Sequence, residues 1–216
     1  MKFLFSSIGQ KIQIAFSGIC LAIFLLFHLF NNLVLFTGAK NFNNMVGFLK
    51  SIHLFVRILE VGLLIIILLH VINAILSTIK NKRANNGKYA ISTNTASANS
   101  KIMIWSGSII LLFFFIHLRY FWYTFQNMSK EANYFEVVLK NEFGFLGHTP
   151  TAIFYIIAIL LIASHLKHGF ASVFKTFGLP IKYRGKLIQY LAFIFWGIIP
   201  SGFILIILAI QTGFIH

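Results

Sequence analysis

The residues of this chain best suited to chemistry are histidines that lie inside apolar stretches. His28, His70, His117 and His165 stand in FLLFHLFNN, IILLHVINA, FFFIHLRYF and IASHLKHGF, and His168 follows His165 by one helical turn. A neutral imidazole can coordinate a metal ion, pass on a proton or hydrogen-bond to another helix. Four such residues on four separate stretches favour a functional site over four unrelated hydrogen bonds.

Membrane-spanning helices must hold these histidines. The chain has 216 residues, of which 58% are hydrophobic and 10% charged, and this is too apolar for the surface of a soluble domain. A helix of about 20 apolar residues crosses the hydrocarbon core of a bilayer. The sequence therefore predicts an all-α membrane protein, a single domain over residues 1–216, with five transmembrane helices at approximately 13–36, 56–80, 101–124, 151–177 and 187–213.

The basic residues predict which ends of the spans face the cytoplasm. The formal net charge is +14, but Lys and Arg cluster at the span ends, which indicates membrane topology and not binding of nucleic acid. Cytoplasmic loops are enriched in Lys and Arg. We therefore expect a multi-pass protein of the inner (cytoplasmic) membrane, with the N-terminus in the cytoplasm and the C-terminus outside. The N-terminal stretch and the second and fourth connections would be cytoplasmic, since they hold 12 of the 18 basic residues: Lys2, Lys11, Lys80, Lys82, Arg83, Lys88, Lys101, Lys167, Lys175, Lys182, Arg184 and Lys186.

This topology sorts the histidines into two layers. Spans one and three run outward, which puts His28 and His117 roughly 10 to 12 Å below the outer surface. Spans two and four run inward and put His70 and His165 roughly 21 Å below it. An internal repeat supports the same pairs: SGICLAIFLLFHL is similar to SGSIILLFFFIHL, and HVINAILS is similar to HLKHGFAS with His165, not His168, in the position of His70.

Two imidazoles that face each other at one depth match the needs of a six-coordinate haem iron. The porphyrin supplies four nitrogens and leaves two axial positions for protein ligands, and helix bundles build such sites from inward-facing side chains. With both positions filled, the haem carries electrons and does not activate oxygen. A zinc or di-iron site is disfavoured, because it needs three or four converging ligands and the only acidic residue within a predicted span is Glu60.

Two glycines precede two of these histidines. Gly18 and Gly107 each lie ten residues before a histidine, His28 and His117. A missing side chain there either admits the edge of a macrocycle or lets two helices pack closely. The ten-residue offset turns ~80° around a helix, so each glycine need not share a face with the histidine of its own helix.

Short motifs run in order along the chain and carry a resemblance to a known family. They are SSIGQK before the first span, FHLFNNL with His28, LLHVINA with His70, SKIMIWSG leading to FIHLRYF with His117, and SHLKHGFAS followed by FG with His165. Over nearly its whole length the sequence resembles the single-chain, five-helix, dihaem cytochrome b subunit of succinate dehydrogenase and fumarate reductase.

The resemblance implies the membrane-anchor subunit of a succinate:quinone oxidoreductase of the respiratory chain. Such an anchor docks a flavoprotein subunit with FAD and an iron-sulfur subunit on the cytoplasmic side. Electrons pass between succinate or fumarate and a membrane quinone, expected to be menaquinone, through two haems b. By the family pattern His70 and His165 hold the inner haem, and His28 and His117 the outer haem. His168 departs from that pattern, so the ligand in span four is either His165 or His168. If His165 is the ligand, His168 would contact the haem edge or a propionate.

Further residues are candidates for the quinone and for the haem propionates. Quinone reduction consumes protons, so a titratable side chain near the haem is expected. We expect Glu60, near the outer end of span two, to exchange these protons beside the outer haem; its alternative role is a local ion pair with Arg57. Anionic propionates need basic or hydroxyl partners, and the candidates are His168, Lys175 and Ser17 on the inner side and Arg119 and Asn31 on the outer side.

Two other functions are compatible with histidines inside spans. The first is the cytochrome b anchor of a hydrogenase or formate dehydrogenase, which also uses bis-histidine haem and would copurify with nickel or molybdenum instead of flavin. The second is a haem-free transporter, in which the histidines relay protons. Absence of haem absorbance in the purified protein would favour the transporter.

Overall fold

The chain forms a bundle of long helices with two short helices at one end. The computed structural model describes residues 6–84, 94–178 and 185–216. The regular elements of these ranges are helical, and the α-helices are α1 (Ser7–Leu33), α2 (Ala39–Ser51), α3 (His53–Ala84), α4 (Asn94–His117), α5 (Tyr123–Asn127), α6 (Tyr134–Leu139), α7 (Thr149–Thr176), α8 (Lys186–Phe193) and α9 (Ile199–Gln211).

Five helical stretches are long and apolar enough to cross a membrane, and this confirms the predicted fold class. Many of their large apolar side chains are exposed, among them Leu54, Trp105 and Leu187, as expected of surfaces that lipid covers. The chain is therefore an all-α, multi-pass membrane protein. The spans are Ser7–Thr37, His53–Asn81, Ile102–Asn127, Thr149–Thr176 and Lys186–Gln211.

Local capping explains where two of the spans begin. The first span starts about six residues before its predicted start, because the Ser6 hydroxyl oxygen accepts a hydrogen bond of 3.0 Å from the backbone N–H of Gly9 and caps the helix. Pro150 lies in the first turn of α7, where its missing N–H is not needed. The first span ends at Thr37, directly before Gly38, whose φ of 89° is a conformation that glycine adopts at no steric cost.

The packing of the helices determines which side chains meet in the interior. α1 packs on α3, α7 and α9, and α7 packs also on α4 and α9. Within the described parts of the chain, neither α1 with α4 nor α3 with α7 is an extensively packed pair. Side chains on these helices can therefore face each other only across the interior of the bundle.

The helices α2 and α6 close one end of the bundle, which we call the capped end. Asn43 joins them, because its amide donates to Asn133 Oδ1 and its Oδ1 accepts from the backbone N–H of Phe135, each at 2.9 Å. The sequence predicts a short interfacial helix over SKEANYFEVVLK. The structure has α6 inside that stretch, but Tyr134 and Phe135 are buried with Phe42 of α2, so the apolar face of α6 packs on protein and not on lipid.

The opposite end of the bundle, which we call the open end, carries basic residues. There α1 begins, α3 and α7 end and α8 begins, and Lys11, Arg83, Lys175 and Lys186 lie in these terminal parts. Four residues that enter the orientation argument lie outside the described residues: Lys2, Lys88, Lys182 and Arg184. The cytoplasmic location of the open end remains a prediction from charge.

Candidate cofactor site

The four span histidines meet in two pairs across the interior of the bundle. The ring centroids of His28 on α1 and His117 on α4 are 5.7 Å apart, with the ring planes at 85°. Those of His70 on α3 and His165 on α7 are 6.5 Å apart, with the planes at 67°. These are the pairs that the depth argument predicts. Each pair joins two helices that do not pack extensively on each other.

The ring separations suit two axial ligands of one iron. Iron–nitrogen bonds of about 2 Å on each side put the centres of the two imidazoles roughly 6 Å apart. Within residues 6–84, 94–178 and 185–216, no group of three or more His, Cys, Asp and Glu side chains could hold a metal ion by itself. A porphyrin would supply the four nitrogens that two imidazoles leave open, so this donor set fits haem.

The two pairs lie at different levels of the bundle. On α1, Ser17 contacts His70, and His28 follows eleven residues later. On α4 the same spacing separates Ser106, which contacts the other member of that pair, from His117. Eleven helical residues rise roughly 16 Å. The internal repeat of the sequence thus corresponds to one spacing used on two helices, with the His28–His117 pair nearer the capped end.

Two buried serines contact the His70–His165 pair. Ser17 Oγ is 3.0 Å from His70 Nδ1, and Ser106 Oγ is 3.2 Å from His165 Nδ1. The two serines are only 3% and 4% exposed. The sequence suggested Ser17 as a propionate partner, but its hydroxyl lies between His70 and the carbonyl oxygen of Gln13, at 2.6 Å, because Ser17 is on the face of α1 that packs on α3.

The glycines of the repeat flank the same two rings. A Cβ atom on Gly18 would lie 3.4 Å from His70 Cε1, and one on Gly107 would lie 3.5 Å from His165 Cε1. Each glycine therefore lies beside a histidine of a neighbouring helix and not beside the histidine of its own helix, as the offset of ~80° allows. A side chain larger than alanine at either position would push against the ring.

Aromatic side chains surround the His28–His117 pair. Phe24 stacks on the His28 ring with centroids 5.4 Å apart, and Phe203 of α9 lies 5.5 Å away. Phe121 stacks on the His117 ring at 5.4 Å. This apolar surrounding supplies few hydrogen-bond partners for the imidazoles.

Two buried polar atoms near this pair have no hydrogen-bond partner among the residues that the structure describes. They are His117 Nδ1 and the hydroxyl of Tyr155, whose rings lie 6.0 Å apart, centroid to centroid. A buried polar atom without a partner costs about 1–3 kcal/mol. A bound molecule with a polar group would satisfy the Tyr155 hydroxyl, so this atom is a second observation, independent of the ring separations, that fits a cofactor.

His168 does not take part in either pair. Its Nδ1 is 2.8 Å from the backbone carbonyl oxygen of Ser164 in the preceding turn of α7. Because a carbonyl only accepts, His168 Nδ1 carries a hydrogen and donates it there. The ring that faces His70 is that of His165, the histidine that the internal repeat selects.

The remaining propionate candidates have other surroundings. Lys175 is exposed in the last turn of α7, and Asn31 is exposed near the end of α1. The guanidinium carbon of Arg119 lies 4.8 Å from the centre of the Tyr123 ring. Their roles toward propionates stay predictions.

Glu60 accepts three hydrogen bonds from side chains on two spans. Arg57 donates to Glu60 Oε2 at 2.7 Å, one turn before it on α3. Trp122 Nε1 and Gln126 Nε2 donate to Glu60 Oε1 at 3.0 and 3.3 Å, and Arg57 also donates to Gln126 Oε1 at 2.6 Å. The local pair with Arg57 is therefore present, but it belongs to a larger network between the second and third spans.

A π-helical turn connects this network to the His28–His117 pair. Residues Leu118–Trp122 form the turn, which starts directly after His117 and ends at the tryptophan that donates to Glu60. Such turns occur often at functional sites. Glu60 is thus linked through one short turn to a histidine of the pair nearer the capped end.

Sequence reasoning missed several residues of these sites. Ser106 was visible as the second copy of the Ser-Gly step, but only the packing of α4 on α7 shows that its hydroxyl reaches His165. The sequence did not indicate that Trp122 and Gln126 contact Glu60. The π-helical turn shifts the phase of the helix and so changes the face on which these two residues lie. Comparison with protein-family models, with curated proteins and with solved structures finds no match to this chain.

Proposed function

We propose that this chain is the membrane-anchor cytochrome b subunit of a succinate:quinone oxidoreductase and holds two haems b. The observation that carries the proposal is the two histidine pairs, with ring centroids 5.7 and 6.5 Å apart, which face each other across the bundle at two levels. The unpartnered hydroxyl of Tyr155, whose ring lies 6.0 Å from that of His117, supports a bound cofactor. The type of complex rests on the resemblance of the histidine motifs to the family.

The chain's own residues hold and shield the proposed cofactors. Haem with two imidazole ligands supplies one-electron transfer and keeps no open iron position for oxygen. His70 and His165 would hold one haem from α3 and α7, and His28 and His117 the other from α1 and α4. Aromatic rings around the His28–His117 pair exclude water from it. His168, one turn from His165, would contact the haem edge or a propionate.

The complex would be completed by partners at the open end. The basic open end is the proposed cytoplasmic face, where the flavoprotein subunit with FAD and the iron-sulfur subunit would dock. Membrane quinone, expected to be menaquinone, would exchange electrons with the chain, and succinate or fumarate would bind on a partner subunit. The chain thereby links a soluble dehydrogenase to the membrane.

An optical and analytical test of the intact complex decides between the proposed function and its alternatives. Purified from membranes under mild detergent, the complex should show reduced b-type haem absorbance, about two haems per chain, and flavin in a copurified subunit. Nickel or molybdenum instead of flavin would indicate a hydrogenase or formate dehydrogenase anchor. A haem-free preparation would overturn the proposal and favour a transporter.

Glu60 is the proposed proton-exchanging residue of the quinone site. Its protonated carboxyl group can give a proton to the quinone during quinone reduction and take up another from water afterwards, while Trp122 and Gln126 keep it oriented. General acid–base groups contribute roughly 10² to 10⁴-fold to a rate. Replacement of Glu60 by Gln keeps the size of the side chain and removes the proton site.

The variant Glu60→Gln should lower quinone-linked turnover by about 10²-fold or more while the haem spectrum stays unchanged. Arg57→Gln breaks the same ion pair but leaves the carboxylate, so it should retain most of the turnover. Glu136→Gln, on an exposed residue of α6, is the control and should behave as the parent. Normal turnover in Glu60→Gln with intact haem would contradict the proposed proton role of Glu60.

A further inference from the structure

We propose that Ser17 and Ser106 are positioning residues for the His70–His165 pair. Each hydroxyl oxygen accepts a hydrogen bond from the Nδ1–H of one histidine, fixes the tautomer and ring orientation, and thereby lowers the redox potential of the haem at this pair alone. The inference rests on the proposed haem-binding function and adds residues that hold the ligands.

The acceptors around each serine determine where the protons lie. Ser17 Oγ is 2.6 Å from the carbonyl oxygen of Gln13 and 3.0 Å from His70 Nδ1. A hydroxyl has one hydrogen, and a carbonyl can only accept it. The hydrogen of Ser17 therefore goes to Gln13, and Ser17 Oγ accepts from a protonated His70 Nδ1. His70 Nε2 then keeps its lone pair for a metal.

The second serine repeats this arrangement on the other side of the site. Ser106 Oγ is 3.2 Å from the carbonyl oxygen of Met103, which takes its hydrogen, and 3.2 Å from His165 Nδ1. Two helices thus offer the same hydroxyl to two opposing histidines. Each imidazole is left with Nε2 as its only metal-binding nitrogen.

Burial and close packing hold both contacts in place. Both serines are buried, and the glycine after each one lies against the imidazole that the serine contacts. A Cβ atom added to Gly18 would lie 3.4 Å from a ring carbon of His70, and one added to Gly107 would lie 3.5 Å from a ring carbon of His165. The Ser-Gly step therefore combines a hydrogen-bond acceptor with the space that the ring needs. This gives a common physical reason for the two copies of the step.

The His28–His117 pair is different, because His117 Nδ1 has no hydrogen-bond partner among the described residues. A hydrogen bond from the outer nitrogen of a ligating imidazole makes the ligand more basic, and a more basic ligand favours the oxidised metal. Loss of a serine should therefore raise the midpoint potential of one haem only.

The test is a spectroscopic redox titration of the intact complex with Ser17→Ala and Ser106→Ala. Each variant should shift the same haem upward in midpoint potential and leave the other haem at its parental value, and the double variant should shift further or lose that haem. Ser108→Ala is the matched control, since this exposed serine of α4 bonds only its own helix, at Ile104 O. It should leave both midpoints unchanged.

Near-isosteric variants keep the test informative if an alanine variant does not accumulate. Ser17→Cys and Ser106→Cys replace the hydroxyl with a weak acceptor and should shift the same haem in the same direction, whereas Ser106→Thr keeps the hydroxyl and should restore the parental value. Unchanged midpoints in the alanine or cysteine variants, or an equal shift of both haems, would overturn the inference. A parental complex without haem would instead overturn the proposed function.

Discussion

At the scale of single residues, His165 and His168 show how neighbouring imidazoles on one helix take different roles. Three positions along α7 turn roughly 60° about its axis and rise about 4.5 Å. His165 faces His70 with ring centroids 6.5 Å apart, whereas His168 Nδ1 donates to the carbonyl of Ser164. A histidine hydrogen-bonded within its own helix needs no cofactor to be satisfied, while two imidazoles that lie opposite each other on different helices can bind the same metal ion.

This difference predicts distinct effects of two alanine substitutions. If His165 holds a haem as proposed, His165→Ala should remove that haem, retain the other, and uncouple succinate oxidation from quinone. His168→Ala should keep both haems and shift a midpoint potential at most. Haem per chain, measured by pyridine haemochrome on the purified complex, is the readout. If His168→Ala lost a haem and His165→Ala kept both, the ligand would be His168, one turn further along α7.

At the scale of elements, the junction between α6 and α7 depends on one close backbone approach. A Cβ atom on Gly147 would lie 2.0 Å from the carbonyl oxygen of Leu139 and 2.8 Å from that of Lys140. Backbone atoms cannot move aside as a flexible side chain can. The chain between the two helices can therefore cross the end of α6 only because residue 147 has no side chain. This crossing lies at the capped end, the end nearer the His28–His117 pair.

Gly147→Ala should consequently destabilise the protein. Overpacking costs about 1–3 kcal/mol or more, and each kcal/mol lowers the unfolding midpoint of a chain of this size by roughly 2 to 4 °C. Thermal unfolding of the purified protein in detergent measures the effect. Gly62→Ala is the control, because an added Cβ there meets nothing within 4 Å and alanine favours a helix. Equal midpoints for the two variants would contradict the expectation.

At the scale of the whole molecule, the packing of the spans explains why four helices supply two histidine pairs. α1 packs on α3 and α4 packs on α7, while the histidine pairs join α1 to α4 and α3 to α7. The two pairs thus cross the interior between helices that are held apart. A fifth span, α8 with α9, lies against α7 and α1 and contributes Phe203 to the surroundings of His28.

The orientation of this bundle can be tested with fusions. Five spans with the basic open end in the cytoplasm put the C-terminus outside, so a reporter that is active only outside the membrane should work when fused after His216. The same reporter inserted between residues 85 and 93, in the connection after α3, should stay inactive. If a reporter that is active only in the cytoplasm worked after His216, the orientation would be the reverse of the proposed one. The inner and outer positions of the two histidine pairs would then be exchanged.

Sequence alone determined the features that depend on composition and on spacing along one helix. Apolar stretches of about 20 residues predict five spans, because the hydrocarbon core accepts little else. The positions of His28, His70, His117 and His165 along these spans predicted two layers, because helical rise fixes depth once direction is known. The family resemblance and the depth of the histidines along the spans predict the same two pairs.

Tertiary structure decided the features that depend on which helix faces are neighbours. Rotation of α1 against α3 brings Ser17 to His70, and packing of α4 on α7 brings Ser106 to His165. The π-helical turn after His117 brings Trp122 to Glu60, so that a carboxylate predicted either to pair with Arg57 or to serve a quinone also bonds the third span. Such contacts join residues about 50 to 60 positions apart, and no pattern along a single apolar helix encodes its rotation toward its neighbours, since nearly every face of it is hydrophobic.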